Sequence, residues 1–155
     1  KSKNKTMKKV IISAIILFST SILSAQFIAT VEMKENVEGI CDHNRVFGLF
    51  NSFEGQKKAE CSLNKLEIQK LLNEAEYLKS HPKFKAKGMF GVYINCKGEP
   101  LEWKVSVKTN KELDAQLLAI FMTLEDWTTG QLNGENVDSR NLISYKIKKG
   151  VLTIN

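Results

Sequence analysis

The alternation in GMFGVYINCKGEPLEWKVSVK, residues 88–108, constrains the fold more than any other stretch. Phe90, Val92, Ile94 and Cys96 alternate with Met89, Gly91, Tyr93 and Asn95. After Lys97-Gly98-Glu99, Leu101, Trp103, Val105 and Val107 alternate again. Period-two patterning on both sides of a glycine turn predicts an antiparallel hairpin with one fully apolar face. The remaining elements arrange around it. Asn64 with Glu67 three residues later has the form of a capping box, and Leu66, Leu71, Leu72, Ala75 and Leu78 recur at helical spacing. This predicts a helix over 64–79, stopped ahead of Pro82. Asn110 caps a second helix, 111–125, with Leu113, Leu117, Phe121 and Leu124 as its apolar stripe. NLISYKIK, 141–148, reads as the final strand, with Leu142, Ser144 and Lys146 on one face and Ile143, Tyr145 and Ile147 on the core face. The order helix, strand, strand, helix, strand predicts an α+β layer: a three-stranded antiparallel sheet packed against two helices.

The amino-terminal region has a different character. Met7-Lys8-Lys9 precedes VIISAIILFSTSILSA, residues 10–25, which carries no charge. A positive start followed by a short apolar run ending in small residues is the pattern of a secretory signal peptide, with cleavage expected near Ala25. Sixteen residues fall short of the ~20 that cross a bilayer comfortably; the alternative is a retained inner-membrane anchor. Five of the 23 basic residues, Lys1, Lys3, Lys5, Lys8 and Lys9, lie in this leader, where no acid occurs. Without residues 1–25, 18 basic residues face 17 acidic ones, so the net charge of +6 is no footprint of nucleic-acid binding. Three domains follow: 1–25 as signal peptide with an upstream extension, 26–62 as an amino-terminal extension, and 63–155 as the folded domain. In an exported chain Cys41, Cys61 and Cys96 can form a disulfide. Cys41 and Cys61 bracket a compact segment and are the expected pair, leaving Cys96 free or available to join two chains.

The residues from 85 to 149 resemble the C-terminal domain of the TonB family, the periplasmic end of a Gram-negative energy transducer. Lys87-Gly88 opens the first strand, Gly98 turns into the second, and Leu113-Asp114 stands in the place of a family helix-opening pair. Trp127 takes the family's aromatic corner, and Gly130, Asn133-Gly134 and Val137 match its turn into the last strand. Thr129 stands where the family has a proline, and Lys146-Ile147 replaces a Leu-Pro pair. The resemblance implies that Trp127 plugs the end of the core, that Gly130 permits a helix-to-loop reversal, and that Asn133-Gly134 makes a tight turn.

For function, the resemblance implies capture of an extended peptide or protein partner by strand addition. The partner would be a segment such as one from an outer-membrane receptor, paired to an edge formed by Asn141, Leu142, Ser144, Lys146 and Lys148. The same edge, or Cys96, could join two copies. The alternative is a membrane-anchored, TonB-like component of receptor-dependent transport. The chain has no long Pro-rich segment, since its only prolines are Pro82 and Pro100. Cys41-Asp42-His43 brings a thiol and an imidazole together in sequence, without a glycine elbow or oxyanion motif, and no CxxC or HxxxH spacing marks a metal site. The expectation is a periplasmic binding module with no enzymatic activity, cofactor, metal or nucleic-acid partner. Phe90, Tyr93, Trp103 and Phe121 are expected in the core rather than on a base-stacking platform.

Overall fold

A computed structural model describes residues 27–33 and 35–155; the predicted leader lies outside them. The chain runs β1 (Ala29–Thr30), β2 (Val46–Gly48), β3 (Gln56–Lys57), α1 (Lys65–Leu72), α2 (Glu76–Ser80), β4 (Ala86–Ile94), β5 (Pro100–Val107), α3 (Lys111–Phe121), β6 (Gly130–Leu132), β7 (Glu135–Lys148) and β8 (Val151–Ile154). The class is α+β. The three-stranded sheet expected from sequence is the antiparallel centre of a larger one, in the order β7-β4-β5. Around it the sheet grows to eight strands and becomes mixed, because β2 enters parallel to β7. The segment expected to be an amino-terminal extension supplies β1, β2 and β3; β2 lies within RVFGLF, 45–50, which reads as a short strand, whereas β3 falls where 53–61 reads as a loop.

β4 and β7 fold as their periodicity dictates, but β5 does so only in part: Trp103 and Val105 join the helix-side core, whereas Leu101 packs on the opposite face with Val37 and Tyr93, Val107 is 45% exposed, and the pairing with β4 carries register shifts. Phe90, Val92 and Ile94 are fully buried on one face of β4, and Tyr145 and Ile147 of β7 are buried with them. α3 packs over that face through Leu113, Leu117 and Phe121. Phe121 lies 4.7 Å from the ring of Phe90 and 4.9 Å from that of Trp103, centroid to centroid. Each such large side chain withdrawn from water contributes about 1.5–3 kcal/mol. The opposite face of β4 is covered by the amino-terminal segment, where Val37 and Val46 pack on Tyr93.

The predicted helix 64–79 is two helices. Its start is as expected: Asn64 Oδ1 accepts from the Leu66 and Glu67 amides, and the Glu67 carboxylate accepts from the Asn64 amide. It breaks at Asn73, whose side-chain amide donates to the Leu152 carbonyl at 2.9 Å and accepts from the Leu152 N–H at 2.8 Å. That amide stands in for a strand against β8, and the break rotates the stripe: Ile68 and Leu72 are buried, whereas Leu66 is 73% exposed. The second predicted helix has its expected Asn110 cap but ends at Phe121, short of 125.

The Trp-Gly corner differs in mechanism from the expectation. Trp127 does pack at the end of the core, its indole N–H donating to the Leu124 carbonyl at 2.9 Å. Asn133 (φ 53°) and Gly134 (φ 84°) form the expected two-residue turn, joining β6 to β7. Gly130, however, is not a reversal point. It is a strand residue in β6, where a Cβ would come within 2.6 Å of the Leu49 side chain and 2.9 Å of Ser139 Oγ.

Candidate functional site

β7 is the spine of the molecule, and its two edges are used differently. Along one, β4 pairs continuously from Ser139 to Ile147. The other is shared by three short strands: β6 against 135–137, β2 against 138–139, and β8 against 145–148. Asn155 extends the last of these by donating its N–H to the Ser144 carbonyl at 2.9 Å. Among the described residues, no strand pairs with residues 140–143 on this side, between β2 and Asn155.

Pleat parity shows what the gap exposes. In an antiparallel pair, alternate residues direct both main-chain groups to the same neighbour. Lys148 and Val151 close the two-residue turn at Lys149-Gly150, and Ser144 also addresses the β8 side. Residues 144, 146 and 148 therefore point their N–H and C=O groups toward β8. Leu142, two residues earlier, points its own pair the same way, into the gap.

The edge expected from sequence is thus narrower than its five residues. Lys146 and Lys148 are not on a free edge, because they pair with Thr153 and Val151 of β8. The like charge of Lys148 holds the Lys146 ammonium below its ordinary pKa. NLISYKIK is also not the last strand, and it begins earlier, at Glu135. The missed signal was Lys149-Gly150 followed by Val151-Leu152-Thr153-Ile154, a turn and a short alternating strand. Asn141, Leu142 and Ser144 do come together at the gap. Leu142 is 46% exposed. Asn141 is buried: its Nδ2 donates to the Ala59 carbonyl at 2.7 Å, and among the described residues its Oδ1 has no hydrogen-bond partner.

The gap opens into a hollow on each face of the sheet. On the helix side, a hollow of 480 Å³ is walled by Leu63, Ile68, Trp127, Ile143 and Ile154, with Asn141 at its sheet wall. On the opposite face, Phe50, Lys58, Arg140 and Leu142 border one of 330 Å³. Lys58 lines both, and burial pushes its ammonium pKa down.

The disulfide joins Cys41 to Cys96, not to Cys61, with 6.2 Å between Cα atoms. The parallel insertion of β2 beside β7 carries Cys41 to the far end of β4, where Cys96 begins the hairpin turn. The buried Asp138 carboxylate fastens the join, accepting N–H groups from Cys41 (3.1 Å), Asp42 (2.8 Å) and Cys96 (3.0 Å). Cys96 is therefore not available to link two chains. Cys61 is the free thiol: it runs beside Trp127 and its Sγ contacts the Glu125 carbonyl at 3.6 Å. Cys41, Cys96 and Asp138 offer ligand atoms within 4.8 Å of one another, but the two sulfurs are bonded to each other. Among the described residues no helix is long and apolar enough to cross a membrane. No family model matches the chain, and neither a curated protein nor a solved structure matches it.

Proposed function

We propose that the protein is an exported binding module that takes an extended segment of a partner into the edge of β7. The observation that carries this reading is the interrupted edge: Leu142 directs a donor and an acceptor into a gap that hollows flank on both faces. Unpaired strand edges are templates for an added strand, and main-chain hydrogen bonds supply the affinity in such complexes. The four residues 140–143 span about 13 Å at the rise of a β-strand. β2 and β8 stand on either side of them, so the broad sheet edge of a second copy cannot reach in, whereas a single thin chain can. That favours a peptide-like partner over a homodimer through this edge. Export is supported by the Cys41–Cys96 disulfide, since such bonds persist in oxidising compartments, and by the signal-like leader.

Amide hydrogen exchange of the free protein tests the edge directly. The Leu142 amide is expected to exchange orders of magnitude faster than those of Asn141 and Ile143, which face β4. Equal protection of all three would mean that the gap is closed, and would refute the reading. For function, a peptide-display selection on the immobilised protein is compared with one on the Leu142→Pro variant. Proline removes the outward N–H and is tolerated where that group faces no ladder. Peptides recovered equally well by both would rule out pairing at this edge.

A further inference from the structure

Among the described residues, the outer face of the sheet, away from α3, is covered only at one end, where Val37 and Val46 pack on Tyr93. The other end is open, and lysines gather there. Lys87 of β4 stands directly opposite Lys146 of β7, and Cβ atoms of such pairs lie about 5 Å apart on one face. Lys148 follows on the same face, about 7 Å further along the strand. Lys149 sits in the turn to β8, and Lys85 enters beside that turn, where the Gly150 N–H donates to the Phe84 carbonyl at 3.1 Å. Lys85, Lys87, Lys148 and Lys149 are exposed, and Lys146 is partly so.

The charge is not balanced locally. The chain has no aspartate or glutamate from Tyr77 to Gly98 or from Ser139 to Asn155. Among the described residues no carboxylate pairs with any of these five lysines. Lys148, and after it Lys87, hold the Lys146 ammonium below its ordinary pKa, and no acid opposes them. Like charges directly opposite one another weaken a sheet. Lysines often blunt a free strand edge, but β7 is interior here, with β4 on one side of Lys146 and β8 on the other. Edge protection therefore does not account for the cluster, whereas an anion resting on the face would offset its repulsion.

We propose that this end of the outer face docks on an anionic phospholipid bilayer, with its lysines against the headgroup phosphates. A sheet face offers ammonium groups side by side to an extended surface. Val107, opposite Met89, and Val151, opposite Lys148, are 45% and 57% exposed there and give apolar contact at the headgroup boundary. Among the described residues this end of the face carries no aromatic ring on which a base could stack, which disfavours nucleic acid. Residues 1–25, lysines followed by an uncharged apolar run, suit the same kind of surface. The proposal does not depend on strand capture at Leu142.

The test labels the full chain briefly with an amine-reactive ester and reads each lysine by mass spectrometry. Vesicles of mixed phosphatidylglycerol and phosphatidylcholine are compared with vesicles of phosphatidylcholine alone. The mixed vesicles are expected to slow labelling of Lys85, Lys87, Lys146 and Lys148 several-fold, while Lys70, Lys79 and Lys111 on the helices react as before, and the protection should fade as salt rises. Because each lysine is read separately, binding through the leader alone would not give this pattern. Each ammonium near an anionic surface strengthens binding about 5-fold, so a Lys87→Gln, Lys146→Gln double variant should bind the mixed vesicles about 25-fold more weakly. It should also resist urea at least as well as the parent, because a like-charged pair has been removed. Labelling unchanged by anionic lipid, protection confined to residues 1–25, or undiminished vesicle binding by the double variant would overturn the proposal. Protection of the same lysines by a duplex oligonucleotide or by polyglutamate, but not by mixed vesicles, would overturn the lipid assignment.

Discussion

Replacing the cysteines one at a time separates the observed disulfide from the one that sequence spacing suggested. The Cys41–Cys96 bond closes a loop with a sequence separation of 55 residues. By the chain-entropy account, a loop of that size removes enough freedom from the unfolded chain to stabilise the fold by about 4 kcal/mol. At roughly 3 °C per kcal/mol for a chain of this length, that is roughly 12 °C in melting temperature. Cys41→Ser and Cys96→Ser should each lose about this amount. The double variant should lose no more than either single one, because one bond is being removed. Cys61→Ser should cost less than ~1 kcal/mol, since its half-buried thiol makes only a weak contact to the Glu125 carbonyl. Equilibrium urea unfolding without reductant measures all four, with the fluorescence of Trp103 and Trp127 as the probe. A Cys61→Ser variant as damaged as Cys41→Ser, or a Cys96→Ser variant that loses nothing, would refute the pairing. Losses confined to ~1 kcal/mol at Cys41 and Cys96 would instead refute the entropic argument.

Three further perturbations probe the frame around the gap. Asp138→Ala leaves the amides of Cys41, Asp42 and Cys96 without their common acceptor and should cost about 2–3 kcal/mol, measured by the same urea titration. Gly88→Ala drives a methyl group into the Tyr145 hydroxyl and to 2.8 Å from Thr109 Cγ2, and should cost about 1–3 kcal/mol; a Tyr145→Phe background should recover part of that loss. Burial pushes the Tyr145 phenol up from an ordinary value of 10.0 to about 12, so the folded state holds this proton more tightly than the unfolded chain. Its contribution is complete below pH 10, declines as pH rises to about 12, and should vanish from the alkaline titration of a Tyr145→Phe variant.

What could be read from the residues was local. The 88–108 hairpin, the Asn64 and Asn110 caps, the Asn133-Gly134 turn and the inward face of β7 depend on neighbours in sequence, and each appears as its pattern implied. What escaped were pairings whose energy comes from distant partners. β2 is three residues long, and nothing in Val46-Phe47-Gly48 announces that it lies parallel to residues 138–139. The Cys41 partner could not be seen without that insertion. Asn73 looked like an ordinary helix residue because its second set of hydrogen bonds, to Leu152, spans 79 positions. The candidate site fell between the two cases. Leu142 and Ser144 were placed on the correct face by alternation. Whether an edge is free is a property of the whole sheet, and β8 removed Lys146 and Lys148 from it.

The position of β7 along the chain also sets an order of events during synthesis. β2, β4, β6 and β8 all pair with residues 135–148, and three of these strands emerge from the ribosome before that stretch exists. Until then the β4–β5 hairpin and the short β1–β2 and β3–β6 pairs have both partners in hand, and Val46 must wait more than ninety positions for Asp138. Such late, long-range closure slows folding. A nascent chain of this design stays open until nearly its full length has been made, with β2, β4 and β6 assembling on β7 only once that strand is present.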